Sequence, residues 1–596
     1  MSRDDRHTRE GRRRPRRGRG PAAGGAGGRG GMRFPRRPLG FGPGAHGLPW
    51  VFGVLMTLLA VVVARLFYLQ VVDGPALAQE AEARRTNSQV IEARRGTIYD
   101  RNGNVLATSV DCYDVYCNPQ EVNYPAAEAL ILQEAFSGEA STYKEQLSQD
   151  STFVYLVRKA DKDKAEQVRQ ELADKGYTGV YFLEQTKRVY PYGSVAGQII
   201  GMVDTDNNGL TGLELQYDDV LGGTDGEMIM ETGATGTPIA GGVSKTVEPQ
   251  DGQDIVLALD VDVQRKVEEE VTAGVKTYEA QAGLCMVTDP ATGGILAACS
   301  TPLADLSNPS TVTNEGLGLK LVTSAYEPGS IVKVFTIATG IEDGLFDTDT
   351  EYQVPSSILV GSDTVRDDDG RSYTMAMTPR EILRRSSNVG ASLLAQQVIG
   401  AERFSEGLAR FQLGQTTGID YPGEAAGSVR SLDEYESSSL GSMAFGQGLA
   451  VPMVQIVKAM GSISQGGVLE TPHFVTKVGG EDLDWPSPGQ SVSEETASKM
   501  TDMLKDVFSE GTAYVGRVEG YEIAGKTGTG EQADENGYIA GKYLSSLVGY
   551  APADDAKVLV YVGLYETPYL ASGSAAPIFS SIMGEALQDL DVKPSS

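Results

Sequence analysis

From Leu48 to Val72 the chain is a nearly continuous apolar run, broken by Arg65 and Gln70. About 25 such residues predict a helix of roughly 37 Å, enough to cross a bilayer. Past this run the pattern changes repeatedly. Residues 73–89 read as a helix continuing away from the span. Ile98 and Tyr99 lead into Asn102-Gly103, a hairpin signal, and alternation resumes at Val105. Residues 120–185 read mainly as helices with acidic faces, among them DKDKAEQVRQELADKGY, which stops at a glycine. Residues 186–250 read as short strands and Gly-rich loops.

A new pattern begins near Asp254, with a strand over 254–259 and a helix over 261–278. LCMVTDPATGGILAACS then reads as a hairpin of two apolar strands. Helical patterns fill much of 330–465. YEIAGKTGTG, YLSSLVGYAP and AKVLVYVGLYE read as strands, and 575–590 as a last helix. This order predicts an α/β sandwich with an attached helical cluster. A chain of 596 residues exceeds one hydrophobic core. The expected division is a tail over 1–47, a transmembrane helix over 48–72, an elongated mixed α+β domain over 73–250 and the α/β domain over 251–596.

Charge changes the picture at the N-terminus. The net charge is −29, yet residues 1–46 hold thirteen Arg against Asp4, Asp5 and Glu10. A basic arm can bind nucleic acid. Followed by an apolar span, it instead falls inside by the positive-inside rule, near anionic lipid, with the long remainder outside. A cleaved leader is the rival, since Ala76-Leu77-Ala78 resembles a cleavage site. The run is longer than the 7–15 residues or so of a leader's apolar region, which favours an uncleaved anchor. Four cysteines suggest no disulfide framework. Cys112 and Cys117 would face opposite ways on a strand, whereas Cys285 and Cys299 could sit opposite each other on a hairpin. Buried free thiols are the favoured reading.

The candidate chemistry follows from scarcity of histidine. The three are His7, His46 and His473. The first two lie on the wrong side of the membrane for an outside site, so a Ser-His-Asp triad would rest on His473 alone. No metal spacing and no P-loop is evident. Lysine remains as a base. In Ser330-Ile331-Val332-Lys333, preceded by Pro328-Gly329, residues i and i+3 share a helix face, so the amine can reach the hydroxyl. A desolvated lysine there has a lowered pKa and can take the hydroxyl proton. Alone the signal is weak, because Ser141-Thr142-Tyr143-Lys144 matches it in an acidic helix. Ser386-Ser387-Asn388, 56 residues on, and Lys526-Thr527-Gly528-Thr529, another 140 on, complete a Ser-Lys site. Ser386 can relay a proton, Asn388 can hold a substrate amide, and Lys526 can face a carboxylate. Thr527 and Thr529 offer hydroxyls. Gly528 allows an edge strand to approach a peptide backbone, and the Thr529 N–H can join that of Ser330 in an oxyanion hole.

With these elements the chain resembles the class B penicillin-binding proteins, the monofunctional peptidoglycan D,D-transpeptidases. Arg95–Gly103 (RGTIYDRNG) and Gly209–Glu214 (GLTGLE) are similar to motifs of the family's pedestal, or dimerisation-type, domain. Thr417–Glu424 (TGIDYPGE) and Phe445–Gly448 (FGQG) are similar to motifs of its catalytic domain. The resemblance implies a penicillin-recognising, β-lactamase-like transpeptidase fold on a pedestal. It implies an acyl-serine intermediate at Ser330 on D-Ala-D-Ala stem peptides, and β-lactams as inhibitors. No cofactor and no metal are implied. Expected partners are peptidoglycan precursor polymer, other cell-wall synthesis proteins and a polytopic glycosyltransferase; nucleic acid is not among them. Glu327 favours the division or sporulation branch over elongation, whereas Ile331 and Pro452 depart from the commoner Thr. A β-lactamase or an inactive penicillin-binding sensor is the alternative.

Overall fold

The computed structural model describes residues 47–73, 86–231, 244–534 and 537–595, in two compact units divided at Arg85/Thr86. In the first, Gly47–Phe67 is an α-helix that ends in a π-helical turn, Tyr68–Val72. Trp50–Val72 has a mean hydropathy of 2.3, long and apolar enough to cross a membrane. The helix expected to run on to residue 89 is corrected at its far end. Thr86–Ile91 is a strand, paired antiparallel with Gly226–Glu231, and 74–85 lie outside the described residues. That partner is about 140 residues away in sequence, so local pattern could not reveal it.

The second unit is built around two sheets. One is antiparallel, in the order Ile295–Ser300, Ala282–Thr288, Val558–Thr567, Gly537–Ala551 and Ala524–Asp534. Its first two strands are buried at every residue, so they read as continuous apolar runs instead of alternating ones. Helices Val261–Thr277 and Ala575–Asp589 pack on the sheet and on each other. Cys285 and Cys299 are register partners, both buried free thiols, as are Cys112 and Cys117. The segment Ala524–Asp534 lies at the sheet's edge, leaving one side of its backbone available to a ligand.

The other sheet carries the N-terminal region. Val105–Cys117 pairs with both Val154–Asp161 and Val180–Val189. These last two correct the expectation of mainly helices over 120–185. Helices do occur there, at Pro125–Phe136, Ala140–Gln146 and Lys162–Lys175, the last closed by left-handed Gly176 as expected. Residues 186–250 also hold short helices at Gly197–Ile200, Gly212–Gln216 and Asp218–Leu221, which the sequence reading gave as strands and loops. The small strands Tyr352–Val354, Ser357–Val360, Asp363–Arg366 and Met375–Met377 interrupt the helical stretch of 330–465.

At the hairpin, the Asp100 carboxylate accepts the Asn102 and Asn104 N–H groups, each at 2.8 Å. Ile98–Tyr99 then pairs in parallel with Ile255–Val256, and Ile255–Leu257 pairs with Val475–Val478. One sheet therefore runs across position 250, where the domain change was expected.

The two pedestal-like motifs meet in a buried ion cluster. Arg95 Nε lies 2.6 Å from Glu214 Oε2, and Arg188 Nε lies 2.7 Å from Glu214 Oε1. Arg95 also pairs with Asp218 at 2.6 Å. Removing the shared carboxylate leaves two buried guanidinium groups undercompensated. Glu214→Ala is expected to cost about 3–5 kcal/mol, read as a lowered denaturation midpoint.

Candidate active site

Pro328-Gly329 closes a turn that opens into a 3₁₀ segment, Gly329–Ile331, and then the helix Val332–Glu342. Ser330 and Lys333 lie one helical step apart, and Lys333 Nζ is 2.8 Å from Ser330 Oγ. The turn is held from two sides. Gly329 N donates to Gly446 O at 3.2 Å, and Gly448 N donates to the Glu327 carboxylate at 2.9 Å. Gly446 has φ +86°, and a Cβ there would meet Gly329 O at 2.0 Å. The FGQG motif thus acts as a backbone clamp on the nucleophile turn.

Helix Pro379–Arg385 ends with Ser386 in the left-handed region, φ 58°. Ser387 immediately caps the next helix, Asn388–Leu394, its Oγ accepting from Gly390 N at 2.9 Å. The reversal brings Ser386 and Asn388 to the same amine. Lys333 Nζ is 2.5 Å from Ser386 O, 3.2 Å from Ser386 Oγ and 2.7 Å from Asn388 Oδ1. From the edge strand, Lys526 Nζ reaches Ser386 Oγ at 3.0 Å and Thr527 O at 3.0 Å. Ser330, Ser386, Asn388, Thr527 and Thr529 line one cleft of about 650 Å³.

Gly528 lies where the edge strand packs closely against the rest of the chain. A Cβ at 528 would meet Ser546 Oγ at 2.4 Å, Pro328 O at 2.8 Å and Ile331 Cδ1 at 3.0 Å. The missing side chain admits the neighbouring strand at Ser546 and the chain's own nucleophile turn. His473 is buried, its ring stacked on Trp485 at 4.8 Å, and it is not among the cleft residues. Ser141 and Lys144 sit on an exposed part of a separate short helix. Thr512, whose Oγ1 is 2.7 Å from Thr527 Oγ1, and Asp367 also line the cleft. Neither carries a sequence signature that would have singled it out.

Burial decides the electrostatics. Lys333 is fully enclosed, and desolvation drops its pKa to about 7, opposed by the charges of Asp367 and Asp368. Lys526 is pushed well below the usual lysine value by burial and then by Lys333. Counting donors gives the consequence. A neutral amine has two N–H groups and one lone pair. Ser386 O and Asn388 Oδ1 can only accept, so they take the two N–H groups, and the lone pair is left for a hydroxyl proton. The Ser330 hydroxyl is within reach to donate that proton.

Residues 283–584 match the model for the penicillin binding protein transpeptidase domain, and 90–257 that for the penicillin-binding protein dimerisation domain. Penicillin-binding protein PbpB of Mycolicibacterium smegmatis is 32% identical over 581 residues, covering 90% of this chain and 89% of its own. Stage V sporulation protein D of Bacillus subtilis is 30% identical over 565 residues, covering 91% and 85%. The crystal structure of penicillin-binding protein 2X from Streptococcus thermophilus superposes with a TM-score of 0.72 at 26% identity, covering 84% of this chain and 80% of that one. The chain belongs to the class B penicillin-binding proteins, serine-type acyltransferases with a dimerisation domain ahead of a transpeptidase domain. Its relatives fall in the division and sporulation branch of peptidoglycan D,D-transpeptidases.

Proposed function

We propose that Ser330 is the acylated nucleophile of a peptidoglycan cross-linking D,D-transpeptidase, with Lys333 as its base. The observation that carries this is the 2.8 Å approach of a buried, low-pKa amine to the Ser330 hydroxyl. The proton passes from Ser330 Oγ to Lys333 Nζ as Oγ bonds the penultimate D-alanyl carbonyl carbon. The oxyanion is received by the Ser330 and Thr529 N–H groups. Lys333 returns the proton through Ser386 to the departing D-alanine amine, and the C–N bond breaks. An amine from a second stem then takes the acyl group by the reverse route. Asn388 holds the substrate amide. Lys526, Thr527 and Thr529 receive the terminal carboxylate, whose charge opposes the burial that discourages the Lys526 cation. A β-lactam follows the same first step and stays on Ser330.

The site contains the pH dependence of its own rate. Below about pH 7 the Lys333 amine is protonated and has no lone pair to accept the Ser330 proton. Acylation is therefore expected to rise with pH through about 7, where it is half-maximal, and to level off above that, in stopped-flow labelling across the range.

The Arg-rich arm is cytoplasmic, the apolar helix anchors the chain, and the remainder works outside, on polymer supplied by a polytopic glycosyltransferase. We assign 1–47 as tail, 48–72 as anchor, 73–250 as pedestal and 251–596 as transpeptidase domain. The deciding experiment incubates the full-length chain with fluorescent penicillin, then maps the adduct by mass. A stable adduct on Ser330, with D-alanine released from a D-Ala-D-Ala donor peptide when an amine is present, supports the reading. Rapid turnover of the penicillin would make the chain a β-lactamase. No adduct on folded protein would end the assignment.

A further inference from the structure

Asp367 is absent from the catalytic elements read in the sequence, yet it touches two of their neighbours. Its Oδ2 accepts the Ser387 hydroxyl at 2.7 Å, and its Oδ1 accepts Val389 N at 2.9 Å. Val389 N is one of the first N–H groups of helix Asn388–Leu394, which have no partner within the helix. Ser387 Oγ satisfies Gly390 N, and Asp367 satisfies Val389 N. A carboxylate at this end also meets the positive end of the helix dipole.

Asp367 is in turn fixed from behind. Arg371 Nη2 lies 2.7 Å from Asp367 Oδ2, with side-chain exposures of 3% and 6%. Arg371 Nη1 donates to Val354 O at 2.8 Å and to Tyr373 O at 3.1 Å. The chain of contacts therefore runs from the small strand Tyr352–Val354 through Arg371 and Asp367 into the Ser386–Asn388 turn. That turn supplies three of the four groups around the Lys333 amine.

We propose that Asp367 is a positioning residue of the active site: it holds the Ser386–Asn388 turn against Lys333, and its negative charge acts on that amine. This rests on the reading of Lys333 as the base. The charges reaching Lys333 are Asp367, Asp368 and Lys526, while Ser330, Ser386 and Asn388 are neutral. Asp367 favours the protonated amine, so removing its charge keeps the amine neutral to lower pH.

Two variants separate position from charge. Asp367→Asn keeps the shape and loses the charge. Its acylation plateau is expected to fall about tenfold, because the Ser387 bond is weakened, and the acid limb to move down by about half to one pH unit. Asp367→Glu keeps the charge but displaces the carboxylate; its plateau should fall while the limb stays near that of the wild type. Both are read as second-order acylation of the full chain by fluorescent penicillin against pH, with thermal melts alongside. A wild-type plateau and limb in folded Asp367→Asn overturn the proposal. If that variant does not fold, a wild-type plateau in Asp367→Glu overturns it. Absence of labelling in the wild type would instead end the reading of Ser330.

Discussion

Ser330→Ala is expected to abolish covalent labelling by penicillin and all release of D-alanine, while the chain stays folded. The loss is complete because, among the described residues, no other hydroxyl combines a place at the start of the buried helix with the Lys333 lone pair. Ser386, the nearest alternative, contacts the same amine through both its hydroxyl and its carbonyl and also meets Lys526. Its Oγ is 3.2 Å from that amine, against 2.8 Å for Ser330 Oγ. Stability should change little, within about 1 kcal/mol, since the hydroxyl is half-buried and contributes one hydrogen bond. Labelling that survives in the Ala variant would place the nucleophile elsewhere.

Lys333→Met should reduce acylation by roughly 10²- to 10⁴-fold, the range for loss of a general base. Met fills a similar space, and it removes an amine whose burial already works against its charge. It leaves Asn388 Oδ1 and Ser386 O without their donor, so some loss of stability will accompany the loss of rate. Lys333→Arg sharpens the test. A guanidinium keeps positive charge and donors but does not surrender a proton in this pH range. A base role predicts that Arg fails as badly as Met. Substantial activity in the Arg variant would mean that charge, not proton transfer, is what position 333 supplies.

The difference between what sequence revealed and what it hid follows the range of the interactions. Ser330 and Lys333 were legible because their contact is made by one helical step, and the hairpin at Asn102-Gly103 because its turn chemistry is local. Ser386–Asn388 was legible as an element; the structure adds that one residue closes a helix while the next opens another. Asp367 was hidden in an acidic turn, because its meaning lies in a hydroxyl 20 residues away. Strands Val154–Asp161 and Val180–Val189 were hidden by their charged residues. They belong to a sheet whose helices pack around Leu132, Val168 and Leu172; Val154–Asp161 buries only Leu156 and Ala160 and Val180–Val189 is mostly half-buried, so the apolar signal of each is weak. Gly528 was legible as a point of close approach, and the structure shows that the nucleophile turn is one of the parts that come close.

The parallel pairing of Ile98–Tyr99 with Ile255–Val256 has a bearing on synthesis. The first strand of the N-terminal sheet must wait for a partner about 157 residues later, and that partner for Val475–Val478 more than 200 residues beyond. Contacts of such separation are made late and slowly. As the chain emerges, its early portion remains an unfinished sheet with open edges until most of the protein has followed. A fragment ending at residue 250 would stay in that state, lacking both the strand beside Ile98 and the carbonyl of Leu259 that receives Arg101 N. Expressed alone, it should self-associate, and co-expression of the missing half should rescue it.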